Sequence, residues 1–265
     1  MNVVVCTKQT PSTTAVYEVK DGVVSWEDPG GKPLVVNPWD EYAIEEAIRV
    51  AENHGADKAI ALTYGASEAT EVLKTCLAMG CKEAVLVSDE AFAGSDAVAT
   101  ARILAAAVNK LDDVQLLVFG KQAIDGDTGL TPVMVARKLG WTPITYVSAI
   151  KEIGDGQITV ERVRGNGKET VTAPLPAVIS VVKEINEPRY PSFMGIRKAG
   201  KAKIPTWTAS DLEVDGPVGG DASKADWSNV FTMPAREGSV EMIEGETVEE
   251  KASQLVDKLF EEKVI

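Results

Sequence analysis

Short apolar runs alternate with helical periodicities through the first half of this 265-residue chain, and that alternation narrows the choice of fold most. Asn2–Cys6 reads as a buried strand. Asn37-Pro38-Trp39-Asp40-Glu41 then opens a helix: Asn at the cap, Pro at the first helical position and two acids in the first turn. Ala43, Ile44, Ala47, Ile48 and Ala51 recur on one face of it. A strand over Lys58–Thr63, a helix over Ser67–Met79 and a strand over Ala84–Val87 follow. A helix over Asp96–Asn109, a strand over Gln115–Phe119, a helix over Leu130–Leu139 and a strand near Ile144–Val147 continue the series. Such alternation predicts an α/β fold, a mostly parallel, Rossmann-like sheet with helices on both faces. Ligands of such sheets bind at the carboxyl ends of the strands.

Two departures from the alternation are expected. Val16–Val19 and Val23–Trp26 flank Lys20-Asp21-Gly22 as a small hairpin inside a turn-rich stretch that runs to Val36. Ile158–Arg164 and Glu169–Thr172 flank Gly165-Asn166-Gly167 as another, so that G-x-G is a turn and not a dinucleotide fingerprint. Leu175–Val182 is a further apolar strand. Beyond Glu184 the chain is rich in Pro, Gly and acids until Thr247–Glu262, where Val248, Ala252, Leu255, Val256, Leu259 and Phe260 line one helical face. The expected organisation is an α/β domain over 1–183, a loop over 184–204 whose basic stripe is a candidate docking surface, and a C-terminal arm over 205–265.

Charge and composition remove whole classes of function. A net charge of −13 argues against nucleic-acid binding, which needs a basic footprint. From Pro205 onward five Lys/Arg face fourteen Asp/Glu, a local −9. Just before it, Arg189, Arg197, Lys198, Lys201 and Lys203 stand without an acid between them. No apolar run reaches the ~20 residues that span a bilayer, and the first residues lack the pattern of a signal peptide. No membrane insertion and a cytoplasmic location are the expectation. Cys6, Cys76 and Cys81 have neither disulfide nor zinc-site spacing and read as packed thiols. His54, the single histidine, sits where a helix ends and reads as its C-terminal cap. No catalytic residue and no metal site are expected.

Three segments fall at strand ends: Cys6-Thr7-Lys8, Thr63-Tyr64-Gly65, and the glycine-rich corner Gly120–Gly129. The corner lets backbone approach a ligand closely, and the helix after it aims N–H groups and a positive end at the crevice. Backbone N–H groups and Thr128 are the expected phosphate contacts. Asp125 and Asp127 would repel a phosphate and are expected to cap the helix or meet a ribose. By these residues alone, a capped loop is as good a reading as a nucleotide site.

Several blocks in one order carry a resemblance. Asn37-Pro38, Gly120–Thr128, Val160-Glu161-Arg162, Leu175-Pro176-Ala177-Val178-Ile179 and Asn186-Glu187-Pro188-Arg189-Tyr190 together resemble the beta subunit of electron-transfer flavoprotein. The similarity runs from the first strand to at least Ile204, and the Asn-Glu-Pro-Arg-Tyr segment is its most specific part. The resemblance implies an adenine-nucleotide-hydrolase-like fold and a heterodimer with an alpha subunit that holds an FAD. It implies a pocket for AMP or, in electron-bifurcating members, for a second FAD that takes hydride from NADH. By position the pocket is Cys6, Asn37, Pro38, Trp39, Asp40, Tyr64 and Gly65 with Lys121, Gln122, Ala123, Ile124, Asp125, Gly126, Asp127, Thr128, Gly129 and Thr131. The Asn37–Asp40 and Asp125–Thr128 blocks are more like the bifurcating branch, whereas Leu130 stands where a polar residue is common.

The resemblance also implies that residues 186–203 dock an acyl-CoA dehydrogenase-like protein. Phe193 is then the apolar anchor beside Met194 and Ile196, with Arg189, Tyr190, Arg197 and Lys198 around it. The plain alternative is a linker whose Phe193 and Met194 pack on the sheet. Two rival functions share the fold class. A stress or signalling nucleotide-binding module would not need the long tail, and a lone NAD-dependent dehydrogenase would carry G-x-G-x-x-G after its first strand.

Overall fold

A computed structural model describes residues 1–28, 31, 34–225, 229–235 and 237–265. Part of the turn-rich stretch before Val36 and four positions of the acidic tail lie outside the described residues. In chain order the elements are β1 (Asn2–Thr7), β2 (Gln9–Pro11), β3 (Val16–Lys20), β4 (Val23–Glu27), β5 (Leu34–Val36), α1 (Pro38–Asn53) and β6 (Lys58–Tyr64). Next come α2 (Thr70–Met79), β7 (Glu83–Val87), α3 (Ala97–Asn109), β8 (Val114–Gly120), α4 (Thr131–Leu139), β9 (Thr142–Gly154), β10 (Gln157–Arg164) and β11 (Gly167–Pro174). The chain closes with β12 (Ala177–Val181), α5 (Phe193–Ala199), β13 (Thr206–Trp207) and α6 (Val248–Glu261).

Nine strands form one sheet in the order β11-β10-β9-β12-β8-β1-β6-β7-β13, and β3–β4 is the separate hairpin. Pairings from β9 to β13 are parallel, while β10 and β11 extend the sheet antiparallel. The mostly parallel α/β class is therefore as expected. Strand residues alternate between two cores, as the period of two requires. Val3, Val5, Ala59, Ala61, Leu116 and Val118 pack under α1 and α2. Val4, Cys6, Ile60, Leu62, Leu117 and Phe119 pack under α3 and α4. Small residues on the helices, such as Ala43 and Ala47 on α1 and Ala101 and Ala107 on α3, let them lie close to the sheet.

Local signals explain the helix ends. Asp96 caps α3, its Oδ1 accepting from the Val98 and Ala99 N–H groups. His54 is the C-cap of α1, and Gly80 and Gly140 end α2 and α4 with positive φ. The strand expected near Ile144–Val147 runs on to Gly154 as β9, and two regions beyond Glu184 also differ from the sequence expectation. The segment expected as a loop contains α5, capped by Ser192, whose Oγ accepts from the Gly195 N–H at 2.9 Å. The run after Pro205 returns to the sheet: β13 pairs with β7, and Leu212 is buried against the α3–α4 core. Asp89, Ser95 and Asp96 accept from the N–H groups of Ala209, Gly219 and Lys224 and hold that run down.

The chain divides into two compact units, Met1–Val230 and Phe231–Ile265. Within the second, α6 buries no residue, and Val248, Leu255, Val256 and Phe260 are exposed along it. Among the described residues, no helix is long and apolar enough to cross a membrane.

Candidate functional site

Strand order brings the expected segments to one edge. Because β8, β1 and β6 are neighbours, the ends carrying Gly120, Thr7-Lys8 and Tyr64-Gly65 lie side by side. The amino end of α1 sits against them.

Asn37 is the hinge of the arrangement. It stands at the cap position of α1, yet its side chain makes no capping bond. Instead its Nδ2 donates to the Gln122 carbonyl at 2.8 Å, and its Oδ1 accepts from the Ile124 N–H at 3.2 Å. Asn37 is 1% exposed, so both bonds are shielded from water. The corner after β8 is thereby pinned to the start of α1.

Asp40, one turn into α1, ties the neighbouring strand. Its Oδ2 accepts from the Lys8 N–H at 2.8 Å. Gly120 packs so tightly here that a Cβ on it would lie 2.6 Å from the Trp39 carbonyl carbon and overlap the Asp40 carboxylate. Burial pushes the Asp40 carboxyl up from 3.8 to about 7, against the pull of N–H groups of Lys8 and Gly120 and of the Asn37 side chain.

The acids of the corner do not cap α4 as expected. The N-cap is Leu130, with no side-chain capping bond. Asp125 pairs with the Lys8 ammonium at 2.6 Å, and Asp127 accepts from Gln122 Nε2 at 2.6 Å. Asp127 finds its partner close at hand because the corner folds back on itself: the Asp127 N–H donates to the Ala123 carbonyl at 2.9 Å, and Asp127 and Gly129 take positive φ. Lys8, by contrast, reaches Asp125 from the neighbouring strand end. Among the described residues, the N–H groups of Gly126, Thr128, Gly129 and Leu130 have no acceptor in the protein. They lead into α4, whose first positions are Thr131 and Pro132. This donor set fits an anionic group, since it offers unpaired N–H groups at a helix start. Lys121 lies 4.4 Å over the Trp39 ring, placing a cation and an aromatic face beside the corner.

The remaining expected residues are placed differently. Tyr64 donates from its hydroxyl to the Phe92 carbonyl at 2.5 Å and packs edge-on to the Phe92 ring, while Gly65 N–H donates to Val87. Among the described residues, neither bonds to the corner. Cys6 is 4% exposed, packed in the α3–α4 core, where burial pushes its thiol well up. Cys81 is pushed up to about 12 for the same reason, so these are packed thiols. Among the described residues no cluster of His, Cys, Asp and Glu is arranged to hold a metal ion. Lys8 is the residue of this edge that sequence reading left without a role. Its position directly after a strand was the available signal.

A second surface surrounds α5. Tyr190 is 94% exposed, Phe193 81% and Met194 69%, with Ile196, Arg197 and Lys198 also exposed. The linker alternative, with Phe193 and Met194 packed on the sheet, is not what the structure shows. Arg189 is engaged within the chain instead of pointing outward. Its guanidinium donates to Glu45 at 2.7 and 3.1 Å and to Glu52 at 2.9 and 2.8 Å. Asn186 Nδ2 donates to Glu46 and to the Tyr42 carbonyl. The Asn-Glu-Pro-Arg segment thus fastens α5 to α1, and Gly195 lets α5 approach the Ala78 carbonyl where a Cβ would collide with it.

Comparison with known proteins adds the following. The electron transfer flavoprotein domain family matches residues 29–212. The caffeyl-CoA reductase-Etf complex subunit CarD of Acetobacterium woodii is 39% identical over the full length of both chains. The electron transfer flavoprotein subunits beta of Megasphaera elsdenii and Thermoanaerobacterium thermosaccharolyticum are 34% and 36% identical, again over all of each chain.

Proposed function

The chain belongs to the electron transfer flavoprotein family, on the beta-subunit side, and from that premise we propose that it binds FAD at the β8–β1–β6 edge and relays electrons within a heterodimer. The observation that carries this reading is the set of unpaired N–H groups at Gly126, Thr128, Gly129 and Leu130, on a corner that Asn37 pins to α1. Such donors suit the phosphates of an adenine nucleotide. AMP uses the same donors and is the alternative ligand. When bound, FAD supplies hydride acceptance and one-electron transfer, which side chains cannot.

The residues of the chain bind and orient. Asn37 and Asp40 hold the corner and the β1 end in register, and the Trp39–Lys121 pair offers an aromatic face and a positive charge at the rim. No general acid or base is required of the protein, in keeping with a crevice free of histidine. NADH is the proposed electron donor, through bifurcation. The similarity to a subunit of a caffeyl-CoA reductase-Etf complex supports that branch and supports an acyl-CoA dehydrogenase-like acceptor.

The proposed docking element for that acceptor is α5. Tyr190, Phe193, Met194 and Ile196 form an apolar patch next to Arg197 and Lys198, with Arg189 fixing its base. Aromatic anchors beside charges that steer encounter are the usual composition of a docking surface. The alpha subunit is the proposed cover for the apolar side of α6.

Acid release of nucleotide from the native heterodimer tests the cofactor. Two FAD per heterodimer is the expected result. One FAD with one AMP would refute bound FAD in this subunit and leave the family intact.

A further inference from the structure

Lys8 follows β1 directly, and its backbone is fixed on both sides. Its N–H donates to Asp40 Oδ2 at 2.8 Å, and its carbonyl accepts from the Asn37 N–H at 2.9 Å. The side chain therefore leaves from a defined point at the strand end. It is half exposed and crosses to Asp125 on the corner, 2.6 Å away.

Charge balance shows what that ammonium is needed for. The corner presents two carboxylates, Asp125 and Asp127, beside the unpaired N–H groups of Gly126, Thr128 and Gly129. A phosphate using those donors adds negative charge next to both acids. The start of α4 contributes only about half a positive charge. Among the described residues, Lys121 of this edge rests over the Trp39 ring. Lys8 sits against Asp125 itself, on a flexible four-carbon stem that can pivot without backbone movement.

We propose that Lys8 is a ligand-binding residue of this site: its ammonium contacts the phosphate of an adenosine phosphate, with Asp125 as its resting partner. The proposal rests on the nucleotide-site reading above. It differs from a purely structural latch, in which the Lys8–Asp125 pair would only hold the corner shut.

Calorimetric titration separates the two. The full-length chain, purified with its alpha-type partner and stripped of nucleotide, is titrated with AMP, ADP and adenosine as wild type, Lys8→Gln, Lys8→Arg and Asp125→Asn. Lys8→Gln is expected to weaken AMP and ADP at least about tenfold while changing adenosine less than about twofold. Lys8→Arg keeps the charge and should retain most of the phosphate affinity. Asp125→Asn removes the latch but frees the ammonium, so the affinity for AMP and ADP relative to adenosine should be as high as in wild type or higher, a ratio in which any ribose contact of Asp125 cancels. Added salt should narrow the gap between wild type and Lys8→Gln. Equal weakening relative to adenosine in Lys8→Gln and Asp125→Asn, or a parallel loss of adenosine in Lys8→Gln, would overturn the proposal in favour of the latch. Wild type binding AMP with no effect of Lys8→Gln sinks the role of Lys8 alone. Wild type binding none of the three overturns the adenosine-phosphate contact of Lys8, and titration of wild type with FAD then decides separately whether the edge binds nucleotide. Should Lys8→Gln fail to fold, as judged by circular dichroism, Lys8→Arg and Asp125→Asn decide the matter: both must keep the AMP and ADP affinity relative to adenosine for the proposal to stand.

Discussion

Arg189→Ala should loosen the attachment of α5 to the sheet domain, and the structure sets the size of the effect. The guanidinium spans two acids of α1, Glu45 and Glu52. Breaking a fully buried pair costs about 3–5 kcal/mol. Solvent reduces that here, since the Arg189 side chain is 34% exposed and Glu52 is 50% exposed. The Glu52 arm therefore counts as a surface pair worth at most about 1 kcal/mol. Glu45 is only 3% exposed, but it keeps Arg49 at 2.9 Å and the backbone N–H of residue 189 at 3.2 Å. Half the buried value for that arm brings the expected loss to about 2–3 kcal/mol. For a unit of this size that lowers Tm by roughly 4–12 °C.

The sign of the pH dependence follows from Glu45. Burial would raise its carboxyl, but the Arg189 guanidinium and backbone N–H, with Arg49, hold it below the ordinary value of 4.5. A depressed carboxylate stabilises the fold above its unfolded pKa, and the contribution is lost as pH falls through the folded one. Urea unfolding followed by circular dichroism should show the full gap between wild type and Arg189→Ala at pH 7 and a narrowing gap below about pH 4. Arg189→Lys should recover less than half, because an ammonium cannot fork across two carboxylates. A loss under about 0.5 kcal/mol, within the range of an ordinary surface change, or a gap of equal size at pH 3 and pH 7, would refute this account of the clamp.

Four other outcomes are expected. Gly120→Ala should cost about 1–3 kcal/mol by forcing Trp39 and Asp40 away from β8, whereas Gly126→Val, with nothing within 4 Å of its Cβ position, should spare the fold and cut nucleotide occupancy; equal Tm losses in both would contradict the close approach at Gly120. Because burial lifts the Asp40 carboxyl to about 7, the fold binds that proton more tightly than the unfolded chain, and this group's contribution falls as pH rises from about 4 to about 7. Asp40→Asn should remove that slope, and parallel stability curves for the two proteins over this window would count against it. Phe193→Ala should weaken electron transfer to the acyl-CoA dehydrogenase-like partner while leaving nucleotide content and heterodimer intact; loss of bound nucleotide would end the docking assignment. Truncation after Val230 removes the second unit but keeps the run that packs on β7, and it should abolish co-purification of the alpha subunit; a full-strength heterodimer from the truncated chain would place that interface on the sheet domain.

Much of the architecture was legible in the sequence because it is written in short-range patterns. Short continuous apolar runs and 3.6-period faces set β1, β6, β7, β8, α1, α2, α3 and α4 to within a residue or two, apart from the 3-10 turn that precedes α2. Asn37-Pro38 marked a helix start, His54 its end and Gly120–Gly129 a corner, each through a local backbone requirement. The long reach of β9 to Gly154 and the helix at α5 were not legible. Seven residues that include a Gly give α5 almost no periodicity, and its stability comes from Ser192 and from its seat on α2.

Which groups meet was decided by tertiary structure alone. Asn37 looked like a cap and proved to be a brace for residues 122 and 124, because the strand order places β8 beside β1 under the start of α1. Asp125 looked like a helix cap and found Lys8, a partner 117 positions away, for the same reason. Arg189 stood in a stretch without acids and was matched by Glu45 and Glu52 on a helix some 140 positions earlier. Local sequence carries backbone preference and burial pattern, which act over one or two turns. A charge or an amide, by contrast, bonds with whatever the crossovers bring within about 3 Å, and the choice of crossover belongs to the packing of the whole sheet.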